Sequence, residues 1–355
     1  MSAVAGERPI LVTGGAGFIG SNLADRLAAD GHRVIVYDAL SRPGVEGNLR
    51  WLQQRHGDRI EAITADIRDE ARLGEAAAKA GAVFHLAAQV AVTTSLAEPR
   101  DDFAINIAGT LHLLDALRTR NPAAPLIFAS TNKVYGDLAD LEFERVEDRY
   151  LPTDATVRAH GIDEARPLDF HTPYGCSKGA ADQYVLDYAR SYGLRTAALR
   201  MSCIYGQRQM GTEDQGWVAH FLIRALEGQP ITLYGDGYQV RDILDVSDAV
   251  DAYLAAWRDI DQITGRAFNL GGGADNAVSL RQLLAHIGAL LGRDLDVRYE
   301  DWRAGDQRYF VADTRAAQAA LGLGLRVPWR DGVARLASWL AEERGLPLTT
   351  QAVAA

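Results

Sequence analysis

The glycine-rich segment TGGAGFIG, residues 13–20, constrains the fold of this chain more than any other stretch. It follows the short apolar run ILVT (10–13), which has the length and composition of a buried strand, and it leads into a segment with helical periodicity. Glycine lets backbone N–H groups approach a phosphate at the start of a helix. The glycines fit either G-x-G-x-x-G or G-x-x-G-x-x-G, and those involved are Gly14, Gly15, Gly17 and Gly20. The pattern alone also fits an ordinary tight turn, so its meaning depends on the surrounding sequence.

Short apolar runs alternate with stretches of helical periodicity along most of the chain. The strand-like runs are ILVT (10–13), RVIVYD (33–38), AVFHLAA (82–88), LIFAST (126–131) and TAALRMS (196–202), and the helical stretches include residues 23–30, 103–120 and 179–193. This alternation predicts an α/β fold of Rossmann type, with a doubly wound parallel sheet.

The second half of the chain is less regular and predicts a smaller, discontinuous domain that binds the substrate. We expect a dinucleotide-binding domain from residues 1–206 and about 241–274, a substrate domain from about 207–240 and 275–345, and a tail from 346–355. A long charged insert, residues 137–171, interrupts the first domain. Connections of that length are more often functional than idle.

An acidic residue closes the second predicted strand. Asp38 lies 18 residues after Gly20, where a carboxylate binds the ribose hydroxyls of adenosine. The same carboxylate repels a 2′-phosphate, so the sequence favours NAD over NADP, although the neighbouring Arg42 keeps NADP open. Asp66 follows the third strand and fits two roles equally well, an adenine contact or a helix N-cap.

The segment HTPYGCSK places Tyr174 and Lys178 four residues apart at the start of a predicted helix. These positions share a helix face, and an ammonium beside a phenol stabilises the phenolate and lowers the pKa of the tyrosine. Tyr174 is therefore a candidate general acid and base for alcohol oxidation. Thr131 ends a strand at the sheet edge where such folds bind ligands, so its hydroxyl can bond the same substrate oxygen. Y-x-x-x-K alone often arises by chance, and only its combination with the glycine segment predicts an active site.

Charge and cysteine content argue against several other classes. Lys+Arg 37 against Asp+Glu 47 gives a net charge of −10, which is unfavourable for a nucleic-acid or membrane partner. The chain has neither an 18-residue apolar run nor a signal-peptide pattern, so we expect a cytoplasmic protein. Two cysteines give no zinc spacing, and we expect no metal. We expect the Cys176 thiol to be buried and inert, and we assign no role to Cys203.

Together these motifs resemble the extended short-chain dehydrogenase/reductase family, the nucleotide-sugar epimerases and dehydratases. The resemblance extends over nearly the whole chain and is carried by TGGAGFIG, HLAAQ, NIAGTLHLLDA, STNKVYGD, PYGCSK, LRMSCIYG, YGDGYQVRDILDVSD, FNLGGG and RAGDQR. Four segments resemble in particular the branch that inverts C2 of a CDP-linked deoxyhexose, namely AAQVAVTTS, STNKVYGD, LDFHTPYGCSKGAADQY and RQMGTEDQGWVAHF.

The resemblance implies a tightly held NAD that is reduced and reoxidised in each turnover while the sugar passes through a keto intermediate. It implies a CDP-deoxyhexose substrate, a place in the synthesis of lipopolysaccharide O-antigen sugars, and a homo-oligomer, dimer or tetramer, formed through the helices near 99–120 and 173–192. Two other functions stay open: a 4-epimerase or related keto-sugar enzyme acting on a UDP- or other nucleotide-sugar, and a non-catalytic NAD-binding regulator. Asn132 and Lys133 argue against a dehydratase, because dehydratases of the family carry Asp and Glu there to protonate the leaving hydroxyl.

The resemblance also assigns residues to ligands. The cofactor-binding residues that it implies are Gly14, Gly17, Phe18, Ile19, Gly20, Asp38, Asp66, Ile67, Leu86, Ala87, Ala88, Tyr174 and Lys178. The substrate-binding residues that it implies are Gln89, Thr93, Asn132, Lys133, Arg208, Gln215, Trp217, Arg241 and Arg303. The three arginines suit a diphosphate through their forked donors, but each fits a surface ion pair as well. The resemblance also implies that Asp214 helps Gln215 and Trp217 to hold the base, and Asn106 and Asp306 are weaker candidates that helix packing or capping would explain as well.

Overall fold

The computed structural model describes residues 8–303 and 305–347, so residues 348–355 of the expected tail lie outside it. In chain order the strands are β1 (Ile10–Thr13), β2 (Val34–Asp38), β3 (Ile60–Thr64), β4 (Ala82–His85), β5 (Leu126–Thr131), β6 (Phe143–Val146), β7 (Arg149–Pro152), β8 (Thr196–Met201), β9 (Cys203–Tyr205), β10 (Ile231–Tyr234), β11 (Val240–Asp245), β12 (Arg266–Leu270), β13 (Ala277–Ser279), β14 (Val297–Glu300) and β15 (Tyr309–Phe310).

The helices occupy the connections between these strands. They are α1 (Phe18–Ala29), α2 (Val45–His56), α3 (Glu70–Lys79), α4 (Val92–Ala97), α5 (Pro99–Phe103), α6 (Gly109–Arg120), α7 (Ala155–His160), α8 (Thr172–Tyr192), α9 (Trp217–Leu226), α10 (Val246–Arg258), α11 (Ile260–Ile263), α12 (Leu280–Leu291), α13 (Arg315–Leu321) and α14 (Trp329–Arg344). A π-helical turn, Ala104–Ala108, joins α5 to α6. Across residues 8–303 and 305–347, no helix has the length and hydropathy needed to cross a membrane.

Seven parallel strands form the central sheet in the order β3-β2-β1-β4-β5-β8-β12. The register places Ile10 of β1 opposite Val34 of β2 and Ala82 of β4. Helices cover both faces of this sheet, so its strands read as continuous apolar runs rather than as alternating ones. The predicted α/β fold with a doubly wound parallel sheet is confirmed.

Two separate apolar cores fill the two faces of the central sheet. Val12 of β1 packs in the core that includes residues of α1 and α10, whereas the adjacent Leu11 packs in the core formed with α3, α6 and α8. Successive side chains of a strand point to opposite faces, so one short strand contributes to both cores. Strand β1 lies inside the sheet between β2 and β4, and the glycine segment follows at its carboxyl end.

The glycine segment folds tightly against the start of α1. A Cβ added to Gly20 would lie 2.1 Å from the carbonyl oxygen of Gly14, and one added to Gly14 would lie 2.7 Å from the amide nitrogen of Ala87. Gly14 also has a φ of +68°, in the left-handed region. No side chain fits at these two positions, so their glycines are required by packing and by backbone conformation.

Later parts of the chain build a second, smaller unit. Strand β11 pairs in parallel with β9 and β15 and antiparallel with β13, and helices α9, α12 and α14 share an apolar core of their own. Helix α10 and strand β12 pack with the central sheet instead. The expected domain limits stay a prediction. Strand β11, which they assign to the first domain, pairs with β9 of that expected domain and with β13 and β15 of the other.

The long insert, residues 137–171, has secondary structure of its own and is bonded to distant parts of the chain. It contains the hairpin of β6 and β7 and the short helix α7. Ile162 forms a β-bridge with Ala312, and the Glu164 carboxylate accepts a hydrogen bond from the backbone N–H of Asn269 at 2.6 Å. The insert ends at His171, which is the N-cap residue of α8. It therefore fixes the point at which the helix carrying Tyr174 begins.

Candidate active site

A cavity of about 640 Å³ opens at the carboxyl edge of the central sheet. Parallel strands present their carboxyl ends at one edge, where ligands bind in folds of this kind. Most of the residues predicted to bind a cofactor or substrate line this cavity, namely Gly14, Gly17, Phe18, Ile19, Gly20, Asp38, Asp66, Ile67, Leu86, Ala87, Ala88, Thr131, Tyr174, Arg208, Gln215 and Trp217. Residues that are far apart in the chain are thus collected into one site.

Asp38 ties the glycine segment to the end of β2. Its carboxylate accepts hydrogen bonds from the backbone N–H groups of Ala16 at 3.0 Å and Leu40 at 2.9 Å. Burial raises the pKa of this carboxyl group, and the backbone donors oppose the rise. Asp38 therefore shapes the turn and also presents a negative charge to the cavity.

Asp66 does not cap a helix, because Asp69 is the N-cap residue of α3 and accepts from the backbone N–H of Arg72. Asp66 lines the cavity and pairs with Arg68 at 2.7 Å. The hydrogen bonds from Arg68 lower the pKa of the Asp66 carboxyl group. Of the two roles that the sequence left open, the N-cap is excluded and the adenine contact stays a prediction. Arg42 also lines the cavity.

Thr131, Tyr174 and Lys178 come together at the end of β5 and the start of α8. The Thr131 hydroxyl lies close enough to the Tyr174 phenol to lower its pKa, and the backbone N–H of Tyr174 donates to the Ser95 hydroxyl at 3.2 Å. Lys178 lies one turn further along α8, is 3% exposed, and holds its ammonium 4.1 Å from the centre of the Phe128 ring. The arrangement supplies a hydroxyl, a phenol and an ammonium in one buried region.

The expectation of a lowered pKa for Tyr174 is wrong for this structure, because burial outweighs the effects of the neighbouring groups. Burial raises the pKa of Tyr174 to about 12, and the charge of Asp102 adds to the rise, while the Thr131 hydrogen bond opposes it. Removal from water disfavours the charged phenolate, and this cost exceeds the gain from neighbouring donors. The sequence shows the spacing of Tyr174 and Lys178 but not how deeply both are buried.

Burial has the opposite effect on the pKa of Lys178, because the charged form of lysine is the protonated one. It lowers the pKa of the ammonium to about 7, against the opposing charges of Asp182 and Asp102. Burial also lowers the pKa of His85 to about 3, so this histidine is neutral between the Thr13 and Thr110 hydroxyls. Lys178 therefore loses its proton more easily than an exposed lysine does.

Several predicted substrate residues make internal contacts instead of lining the cavity. The Asn132 amide donates to the Gln307 side chain at 3.3 Å, and the Lys133 ammonium donates to the carbonyl oxygen of Gly305 at 2.9 Å. Gln89 donates to the Asp102 carboxylate at 2.9 Å, and Thr93 is exposed on α4. The substrate roles of these four residues stay predictions.

The three predicted phosphate-binding arginines differ in their surroundings. Arg208 lines the cavity with its guanidinium 4.0 Å from the centre of the Trp51 ring. Arg303 pairs with Glu213 at 2.9 Å and with Asp214 at 3.4 Å. The guanidinium of Arg241 donates to the carbonyl oxygen of Val240 at 2.8 Å. Arg208 is thus the one of these three that faces the cavity.

The two cysteines differ in their exposure to solvent, and the prediction made for one of them is wrong. Cys176 is exposed, so the prediction of a buried thiol is wrong; Tyr174, Ser177 and Lys178 turn to the inner side of α8 and leave Cys176 outside. Cys203 lines the cavity, accepts a hydrogen bond from the Trp217 indole at 3.3 Å, and has its pKa raised by burial. Sequence reasoning gave Cys203 no role, and a thiol offers little signal from which to find one.

Two acids and a histidine form a cluster near the start of α8 that could be considered for a metal ion. One ligand atom each of Asp137, Asp169 and His171 lies within 4.8 Å of the others. The two carboxylates contact different ring nitrogens of His171, at 3.5 and 3.1 Å. This pattern matches a hydrogen-bonded histidine, since a metal ion would need one nitrogen and both acids on the same side.

This site combines a Rossmann-type sheet, a glycine turn at its carboxyl edge and a buried tyrosine–lysine pair. Together they define an NAD-binding enzyme of the extended short-chain dehydrogenase/reductase class. The model of the NAD dependent epimerase/dehydratase family matches residues 10–271. The chain belongs to this family.

Known proteins of the family are similar over nearly the full length. The CDP-paratose 2-epimerase of Salmonella typhi is 43% identical over 337 residues, which cover 93% of this chain and 98% of the relative. Among solved structures, the UDP-glucose 4-epimerase of Thermotoga maritima with UDP-glucose has a TM-score of 0.81 and 32% identity, covering 95% of this chain and 99% of its own. The UDP-glucuronic acid 4-epimerase of Bacillus cereus with UDP-glucuronic acid and NAD has a TM-score of 0.80 and 26% identity, covering 94% and 99%.

NAD is the cofactor of this chain, and the cavity fits it. The close approach of Gly14 and Gly20 to backbone atoms leaves a turn free of side chains at the start of α1, as a pyrophosphate needs. Asp38 presents a carboxylate at the end of β2, where ribose hydroxyls bind. The cavity extends from there to Thr131 and Tyr174.

Proposed function

We propose that this enzyme inverts C2 of a CDP-linked deoxyhexose and interconverts CDP-paratose and CDP-tyvelose. One observation carries the proposal: Thr131 and Tyr174 meet at the cavity, with Lys178 behind them, while the two positions after Thr131 hold Asn132 and Lys133. The similarity to a CDP-paratose 2-epimerase supports the choice of sugar and carbon. A site without acids at these two positions lacks a proton donor for loss of water.

The chemistry divides between the cofactor and the protein. NAD, held by the glycine turn and Asp38, would supply a reversible hydride acceptor for the reacting carbon of the sugar. Thr131 and Tyr174 hold the sugar hydroxyl, and the phenol oxygen of Tyr174 takes its proton and gives it back. The Lys178 ammonium stabilises the phenolate, which its position one helical turn away permits.

We propose that the glycine turn and its neighbours hold NAD. The pyrophosphate contacts fall to Gly14, Gly17, Phe18, Ile19 and Gly20, and the adenosine contacts to Asp38, Asp66 and Ile67. Leu86, Ala87, Ala88, Tyr174 and Lys178 complete the cofactor site. Apart from Lys178, all of these residues line the cavity, which supports the assignment.

The nucleotide-sugar end is proposed with two kinds of contact. Arg208, Gln215 and Trp217 line the cavity and are proposed to bind the nucleotide directly. Gln89, Thr93, Asn132, Lys133, Arg241 and Arg303 are proposed to shape or complete the substrate site. The internal bonds of Asn132 and Lys133 indicate that these two act by holding residues 305–307 in place.

A 4-epimerase acting on a UDP-sugar is the second candidate. The similarity to the UDP-glucose 4-epimerase of Thermotoga maritima favours it, because the carbon that reacts depends only on how the sugar lies in the site. A panel of CDP-, UDP-, GDP- and dTDP-sugars separates the candidates. Turnover of CDP-tyvelose or CDP-paratose is the expected result, and turnover of UDP-glucose alone would replace the first proposal by the second.

Solvent deuterium tests the reaction route. In heavy water, CDP-tyvelose should give CDP-paratose without deuterium at C2, because the hydrogen leaves and returns inside the enzyme. Incorporation at C2 would exclude this route and point to proton abstraction from carbon. The purified protein should carry NAD, which is released by denaturation and measured by its absorbance after reduction.

We further propose a cytoplasmic homo-oligomer that serves the synthesis of O-antigen sugars. Exposed apolar side chains on the helices named in the sequence analysis and on the adjacent α4 support the oligomer, among them Leu96, Phe103, Tyr184 and Tyr192. Such a group of exposed side chains is typical of contact surfaces. Light scattering of the purified protein would give the number of chains, and a monomer at micromolar concentration would exclude the oligomer.

A further inference from the structure

Asp102 is a buried acid on α5, next to the helix that carries Tyr174, and no motif of the sequence assigns it a role. It is 1% exposed, whereas the side chain of the adjacent Asp101 is 64% exposed. One carboxylate oxygen, Oδ1, accepts from the Gln89 amide at 2.9 Å and from the Asn106 amide at 3.2 Å. The other, Oδ2, has no hydrogen-bond partner in the part of the chain that the structure describes. Burial raises the pKa of the Asp102 carboxyl group, and the side chains of Ser177 and Gln89 and the charge of Lys178 oppose the rise. A buried carboxylate with neutral donors alone is costly, so a nearby cation is needed to keep it ionised.

Helix α5, which carries Asp102, packs against α8, which carries Lys178. The two side chains, which both lie among the described residues, form no ion pair within 4 Å, but the Lys178 ammonium is the cation whose charge acts on Asp102. The acids that act on Lys178 are Asp182 from its own helix and Asp102 from α5. Asp182 already forms a buried ion pair with Arg200 at 2.9 Å and accepts from the Ser130 hydroxyl at 2.6 Å. Since Asp182 is paired with Arg200, Asp102 is the acid left to balance Lys178.

The buried charges near Tyr174 balance only if Asp102 is ionised. Lys178 and Arg200 are the cations, Asp182 and Asp102 are the anions, and His85 is neutral. Without Asp102, one positive charge would stay uncompensated in a site closed to water. An uncompensated buried charge is most easily removed by loss of its proton, and Lys178 is the cation that can lose one, because arginine cannot.

We propose that Asp102 is a positioning residue for the reaction: its buried carboxylate is the counter-charge that keeps Lys178 an ammonium next to Tyr174. The inference rests on the proposed function, since it acts through the role given there to Lys178. It identifies one acid of the pair in PRDDF as functional and the other, Asp101, as a surface residue.

The variant Asp102→Asn isolates the charge. It keeps an oxygen for the Gln89 and Asn106 donors and alters Oδ2, which makes no hydrogen bond. The matched control is Asp101→Asn, which removes an exposed acid from the adjacent position of the same helix. We expect the control to behave as the wild type in every measurement below.

The first readout is the titration of Lys178 itself. The chain has only three lysines, Lys79, Lys133 and Lys178, so lysine labelled with ¹³C at Cε gives three signals that Lys79→Arg and Lys133→Met assign. In the NAD-loaded enzyme, Asp102→Asn should lower the titration midpoint of Lys178 by about one pH unit. An unchanged midpoint would overturn the proposal. No substrate is needed, so this result stands even if the enzyme proves inactive on CDP-sugars.

The second readout is the pH profile of kcat. The charge of Asp102 raises the pKa of both Lys178 and Tyr174. Both limbs of the profile should therefore move to lower pH in Asp102→Asn, with a loss of about tenfold on the alkaline side and little loss on the acid side. A fall by the same factor at every pH would indicate a purely structural role and would also overturn the proposal.

Lys178→Met tests the same pairing if Asp102→Asn does not fold. It leaves Asp102 as an uncompensated buried acid, which raises the folded-state pKa of that carboxyl group further. The melting temperature of Lys178→Met, compared with wild type, should therefore rise as pH falls from 7 to 5. A constant difference across this range would show that Asp102 and Lys178 do not depend on each other.

Discussion

The Lys133 ammonium donates a hydrogen bond to the carbonyl oxygen of Gly305 at 2.9 Å, across 172 positions of sequence. The adjacent Asn132 bonds to Gln307, and the Gln307 amide in turn donates to the carbonyl oxygen of Gly136. Asn132 and Lys133 thus connect the end of β5, which carries Thr131, to residues 305–307 of the second unit.

Lys133→Met should remove a stabilisation that depends on pH. Burial lowers the pKa of Lys133 in the folded state to about 8, from an ordinary 10.5. Between these two pH values the folded state therefore binds fewer protons than the unfolded state. The Lys133 contribution to the free energy of unfolding is present above the ordinary pKa and is lost as pH falls through 8. From pH 7.5 to 10, the free energy of unfolding of wild type should therefore rise by on the order of 2 kcal/mol relative to that of the variant, allowing for the partial exposure of Lys133.

Urea unfolding at several pH values measures this difference. Lys79→Met is the control, because Lys79 is an exposed lysine at the end of α3. Parallel stability curves for wild type and Lys133→Met would contradict the expectation.

Tyr174→Phe should lower kcat by about 10²–10⁴-fold, the range that general acid–base groups contribute. The substitution keeps the ring and removes only the phenol oxygen, so the loss of kcat should far exceed any loss of bound NAD. The control is Tyr184→Phe, because Tyr184 lies on the same helix and is 43% exposed. Full activity of Tyr174→Phe would revive the non-catalytic regulator.

Asp38→Asn should change cofactor choice as well as stability. One of the two backbone N–H groups, of Ala16 or Leu40, loses its acceptor, which costs about 1–3 kcal/mol. Loss of the negative charge removes the repulsion of a 2′-phosphate, so the affinity for NADP relative to NAD should rise at least about tenfold. Calorimetric titration of cofactor-free protein with both dinucleotides gives this ratio, and an unchanged ratio would assign the choice to another residue.

Gly20→Ala should destabilise the protein by about 1–3 kcal/mol and weaken NAD binding, since the new Cβ would lie 2.1 Å from the carbonyl oxygen of Gly14. The control is Gly47→Ala in α2, where an added Cβ meets nothing within 4 Å. An alanine inside a helix is more favourable than glycine, so Gly47→Ala should stabilise by about 0.5–1 kcal/mol. Thermal melts of both variants decide, and equal effects would show that the space around Gly20 adjusts.

Much of the fold and of the cofactor site could be predicted because their signals are local. The run ILVT followed by glycines identifies β1 and the start of α1, and the acid at the end of the next strand falls on Asp38. The spacing of Tyr174 and Lys178 places both on one face of α8. Periodicity over a few residues is enough for each of these statements.

The sequence by itself determined the Rossmann-type sheet, the glycine turn and the candidate catalytic residues. Only the tertiary structure decided which groups lie away from water, and therefore that the pKa of Tyr174 is raised and that of Lys178 lowered. It also decided that Asp102 is buried while Asp101 is exposed. Burial and long-range contacts depend on elements far apart in the chain, and a local pattern carries no information on the distance between them.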